Sequence, residues 1–103
     1  MNEETIKLGG NIELSGFHEM EGAVMIVLKK IIGNHAKRMT EKTQNFEKLS
    51  IHMKKVHEKE ASKLYELHAK LLDNGTLVTS EATERNIFVA VDSALKGVFA
   101  QLK

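Results

Sequence analysis

The sequence predicts a two-layer α+β sandwich, with two helices on one face of a four-stranded sheet in the order β-α-β-β-β-α. Three observations predict it. Two segments, one early in the chain and one at its end, carry apolar residues at helical spacing along one side only. Between them, three segments alternate apolar and polar residues. The triplet "DNG" at 73–75 then joins two of the alternating segments as a tight hairpin, because Asn-Gly readily takes positive φ. Two one-sided helices can cover one sheet face, which leaves the other wet or bound to something.

The first strand is "NIELSGF" (11–17), with Ile12 and Leu14 on one side and Glu13 and Ser15 on the other. The preceding "TIKLGG" reads either as a partner strand in a tiny hairpin or as an unfolded lead. The lead is the reading adopted, giving a lead over 1–10 and one domain over 11–103. From about Glu19 to Thr43 the period becomes helical, with Val24, Val27, Leu28, Ile31, Ile32, His35 and Met39 on the core stripe. Lys30, Gly33, Asn34, Lys37 and Glu41 form the far side, with Ile26 exposed among them.

In "KLSIHMKKV" (48–56), Leu49, Ile51 and Met53 face the core, opposite Ser50, His52 and Lys54. In "KLYELHAKLL" (63–72), Tyr65, Leu67, Ala69 and Leu71 do so, opposite Glu66, His68 and Lys70. "HEKEASK" (57–63) joins the two as a charged loop, and "TLVTSEAT" (76–83) is a β-branched fourth strand. Thr83 is the expected N-cap of the last helix, with Glu84 in its first turn. Phe88, Val91, Leu95, Val98, Phe99 and Leu102 form its stripe, widened by Ile87 and Ala94. Asp92 lies at the edge of that stripe, four residues before Lys96, the favourable order for a helical acid–base pair.

A chain of 103 residues can build one core. With no cysteine, disulfides and thiolate metal sites are excluded, consistent with a reducing compartment. The longest apolar run, "GAVMIVL", is too short to span a membrane, and "MNEETIK" does not resemble a signal peptide, so a cytoplasmic address is expected.

Candidate chemistry thins out quickly. His52 and His68 could be cross-strand neighbours sharing an ion, but no pair has HExxH spacing and no carboxylate stands at helical spacing to complete a ligand set. His35, between Ile31 and Met39 on the stripe, reads as a satisfied core histidine. Neither GxSxG, GxGxxG nor a P-loop frame occurs, so no enzyme, metal or cofactor is expected. The methionines at 20, 25, 39 and 53 read as core filler.

Charge is more informative. The net charge is +1, yet residues 29–63 hold ten Lys/Arg against four Glu, giving +6, while 1–28 carry −4 and 64–103 carry −1. Lys29, Lys30, Lys37, Arg38 and Lys42 fall on the first helix, and Lys54, Lys55 and Lys70 on the second and third strands. Lys59 and Lys63 add charge on the connection between those strands. Singly, each reads as a solvated residue; as a set they favour RNA or another extended anion. Tyr65 and most phenylalanines fall on core faces, so binding would go to phosphates and duplex shape rather than stacked bases.

"ERNIFVAVDSALKGVFAQL" resembles the C-terminal helix signature of the ribosome hibernation-promoting factor and ribosome-associated inhibitor family. That signature runs acid, large apolar, aromatic, two small residues, Ile, Asp, then a Leu-rich tail ending in Gln-Leu. Asn86 replaces the acid, Ile87 to Val91 follow the pattern, and Asp92, Gln101 and Leu102 match outright. "NIELSGF" resembles the family's opening strand and "YELHAKLLDNGTLVTSEAT" its third and fourth strands.

The resemblance implies a sandwich related to double-stranded RNA-binding domains, and a partner, the small ribosomal subunit, whose mRNA and tRNA channel such proteins occupy to block translation. Ribosomal RNA would be held by eight of the basic residues, Lys29, Lys30, Lys37, Arg38, Lys42, Lys54, Lys55 and Lys70, with no DNA or membrane partner and with a monomer or weak homodimer as the state. Lys96 and Gly97 depart from the family's usual Asp-Lys pair, and the chain stops before the family's basic tail or second domain, so direct ribosome dimerisation is not expected. The resemblance makes Asp92 a structural acid. The alternative from a different class is a protein-interaction or homodimerisation module using exposed Ile26 or an open sheet edge.

Overall fold

The computed structural model describes residues 5–57 and 63–102, apart from the side chains of Val56 and His57. Its elements are β1 (Thr5–Lys7), β2 (Ile12–Ser15), α1 (Gly22–Lys42), β3 (Phe46–His57), β4 (Lys63–Asp73), β5 (Thr76–Glu84) and α2 (Ile87–Ala100). They form an open five-stranded sheet in sequence order. β1 pairs antiparallel with β2, β2 parallel with β3, and the remaining neighbours antiparallel. The parallel step follows from α1, since a strand can return beside its predecessor in the same direction only through a crossover.

The α+β class is as predicted, but the strand count is not. Thr5–Lys7 is a strand rather than a lead, placing Ile6 beside Leu14 on the core face, and the order becomes β-β-α-β-β-β-α. Gly9 and Gly10, both at positive φ, turn the chain between β1 and β2. The predicted loop over 57–63 lies mostly outside the described residues, as does Lys59.

Alternation explains the layers. Leu14, Leu49, Ile51, Met53, Leu67, Ala69 and Leu71 are all buried on one face of the sheet. They join Leu28, Ile32, Ala36 and Met39 of α1 and Ala90, Val91, Ala94, Leu95 and Val98 of α2 in one cluster. α2 lies over β4 and β5, and α1 packs against α2 and reaches β3. Val27, expected on the core stripe, is 42% exposed. At 100° per residue it falls about 110° from the centre of a stripe made by Leu28, Ile32, His35 and Met39, on its flank, while Ala36 widens the buried stripe on the other side.

Gly16 is required by close approach. Its φ is +86°, and a Cβ there would stand 2.1 Å from the Met53 carbonyl oxygen. At the other end of the sheet, Asn74 and Gly75 (φ 50° and 85°) make the expected hairpin turn. The Asp73 carboxylate fastens that turn by accepting from the Gln44 and Asn45 backbone N–H groups at 3.1 and 2.9 Å.

The cap of α2 is Asn86, not Thr83. β5 continues to Glu84, so Thr83 is engaged opposite Glu66 in the sheet. Asn86 Oδ1 accepts from the N–H groups of Phe88 and Val89 at 2.8 and 3.2 Å, satisfying two of the donors a helix start leaves open. Among the described residues, no helix is long and apolar enough to cross a membrane.

Candidate nucleic-acid interface

The eight basic residues do not form one surface, because the sheet separates them. Lys29, Lys30 and Lys37 are exposed on the outside of α1. Lys30 and Lys37, two turns apart and roughly 10 Å along the axis, lie nearly opposite the core stripe. Glu41 is the one acid of the helix. None of these three lysines forms an ion pair among the described residues. Arg38 and Lys42 lie on the flank toward α2, where the Arg38 guanidinium stands 4.9 Å and the Lys42 ammonium 5.3 Å from the centre of the Phe99 ring. That contact holds both cations by the ring's negative face without neutralising them. The basic strip therefore extends from the exterior of α1 into the groove between the helices.

Lys54 and Lys70 lie across the sheet on the open face, and here acids intervene. Strand register sets out the rows. One row reads Lys7, Glu13, Ser50, Lys70 and Thr79, the next Thr5, Ser15, His52, His68 and Glu81, and the third Lys54, Glu66 and Thr83. Lys48 pairs with Glu13 at 3.1 Å. Lys55 is on the other side of β3 and pairs with Glu19 at 3.6 Å. The open face is thus a mixed field, and only α1 presents cations with little opposing charge.

His35, His52 and His68 are placed as the spacing suggested, whereas His57, expected in the charged loop, is the last residue of β3. His35 is buried and its Nε2–H donates to Asp92 Oδ1 at 2.7 Å, joining α1 to α2. Lys96 Nζ lies 3.1 Å from Asp92 Oδ2, as the helical spacing predicted. The His35 hydrogen bond and then Lys96 hold the Asp92 carboxyl below its usual range, against an opposing effect of partial burial. Both oxygens of Asp92 are engaged in structural contacts.

His52 and His68 face each other across β3 and β4 with ring centres 6.5 Å apart. The Ser15 hydroxyl shares a 2.9 Å hydrogen bond with His52 Nδ1, and His68 Nε2–H donates to Glu66 Oε2 at 2.7 Å. Glu66, His68 and Glu81 each bring a ligand-capable atom within 4.8 Å of the other two. No helical spacing brings Glu66, His68 and Glu81 together in the sequence. On a strand the relevant offsets are two residues along and directly across.

No protein-family model and no curated protein matches the chain.

Proposed function

We propose that this protein is a cytoplasmic, non-enzymatic inhibitor of translation that binds the small ribosomal subunit in its mRNA and tRNA channel and meets ribosomal RNA with the exterior of α1. The observation that carries the reading is the strip of Lys29, Lys30 and Lys37, exposed and without ion pairs among the described residues, extended by Arg38 and Lys42 over Phe99. Its second support is the resemblance of the α2 sequence to the hibernation-factor signature. On this reading the sandwich is of the kind related to double-stranded RNA-binding domains. Lys54, Lys55 and Lys70 contribute less than the sequence implied, because acidic residues share their surfaces.

A phosphate-rich RNA surface suits this strip. Cations along a helix at one- and two-turn intervals can follow a phosphate backbone, and with few exposed aromatics the contact is to charge and shape rather than to bases. Co-sedimentation with small subunits tests the proposal. Neutralising Z phosphates gives a log–log salt slope of roughly −0.7Z to −0.9Z. Association that weakens along such a slope is expected, and no association at low salt contradicts the reading.

A second reading rests on Ile26, 64% exposed on the same exterior of α1 and next to the exposed Val27. These side chains suit a helix-to-helix contact between two copies. Sedimentation equilibrium separates the two: a tight dimer indifferent to added RNA favours this alternative.

A further inference from the structure

We propose that Glu66, His68 and Glu81 form a binding site for a divalent transition-metal ion, zinc fitting best, on the open face of the sheet. Topology assembles the site from residues far apart in sequence. Glu66 and His68 are two positions apart on β4, so both project from the same face. Glu81 is the direct partner of His68 on β5. One oxygen of each carboxylate and one imidazole nitrogen all lie within 4.8 Å of one another. Ligands at zinc distances around a tetrahedral ion stand about 3.4 Å apart, so small side-chain rotations close the set.

Ligand geometry carries the assignment, since the surrounding charge is mixed and Lys54 and Lys70 line the same cleft. Two carboxylates share one small region of the sheet, and such like-charged neighbours repel. Glu66 stands directly across from Lys54, yet its carboxylate turns to His68 at 2.7 Å. The imidazole hydrogen-bonds to Glu66 alone, which leaves Glu81 without a hydrogen-bond or ion-pair partner among the described residues. A divalent ion satisfies both carboxylates and takes the Nε2 lone pair, the displaced proton moving to Nδ1 or to solvent. One imidazole with two carboxylates suits zinc and its neighbours in the first transition row better than calcium or magnesium, which favour all-oxygen shells. A cleft of about 460 Å³ lined by His52, Lys54, Glu66, His68 and Lys70 leaves room for water at the remaining position. The site lies across the sheet from α1, so it stands or falls independently of the RNA reading.

Calorimetric titration of the full chain with zinc chloride, after chelator treatment and in a non-coordinating buffer, tests the proposal. One equivalent should bind with a Kd of about 10 µM or tighter, and His68→Ala and Glu81→Gln should each weaken binding about tenfold or more. His18→Ala removes an exposed histidine 3.9 Å from Glu19 and should leave binding unchanged. In the wild type, zinc should shift the imidazole resonances of His68, a readout that needs no variant to fold. Absence of binding tighter than about 100 µM, wild-type affinity in His68→Ala, or unmoved His68 resonances would each overturn the site.

Discussion

Asp92 accepts from His35 on one helix and pairs with Lys96 on its own, so a single carboxylate ties α1 to α2 beside their apolar packing. Removing it strands a buried imidazole N–H. Asp92→Ala should therefore cost about 1–3 kcal/mol in urea unfolding at neutral pH, near the lower end because the carboxylate is partly exposed. The sign of its pH dependence follows from the lowered folded-state value. The contribution is complete above the ordinary carboxylate range, where both states are ionised, and is lost as pH falls through the lowered value in the folded state. Asp92→Asn should accordingly flatten the acid limb of the stability curve; an unchanged limb would mean the pair does not support the fold. The Asp92–Lys96 contact was legible from a four-residue spacing. The His35–Asp92 bond was not, because two residues 57 apart in sequence meet only through the rotational register of their helices, which depends on how the ridges pack. Gly16 is a second such position: Gly16→Ala should destabilise by at least about 2 kcal/mol, from the positive φ and the collision with the Met53 carbonyl together.

The elements with sustained periodicity were readable, and those without it were not. Leu49, Ile51 and Met53 alternate with Ser50, His52 and Lys54 in a strand long enough to show its period, and the structure buries the first set. Thr5–Lys7 is three residues long, too short to display any period, and it is a strand because Ile6 meets Leu14. The end of β5 was misread for a related reason, since Thr83 and Asn86 are both good caps and only pairing with Glu66 assigns Thr83 to the sheet. At the hairpin, Asp73 accepts two backbone N–H groups from the segment after α1. Asp73→Ala should lower stability by about 1–2 kcal/mol and speed hydrogen exchange at Gln44 and Asn45, whereas Thr76→Ala should do neither.

Across the whole molecule, charge counted along the chain proved a poor map of charge in space. The +6 of residues 29–63 is divided by the fold. α1 carries its lysines outward on one layer, while β3 delivers Lys54 to the opposite face beside Glu66, and Lys55 to Glu19. The same folding brought Glu66, His68 and Glu81 together, a grouping that strand register creates and no linear motif contains. What survives of the basic footprint is the exterior of α1, and the functional reading rests there. The most direct test is co-sedimentation of the Lys30→Glu, Lys37→Glu double variant with small ribosomal subunits beside the wild type, over a series of salt concentrations. The account predicts that the variant folds normally, binds about tenfold more weakly or worse, and loses roughly two from the magnitude of the log–log salt slope. Wild-type affinity and slope in a folded double variant would contradict it.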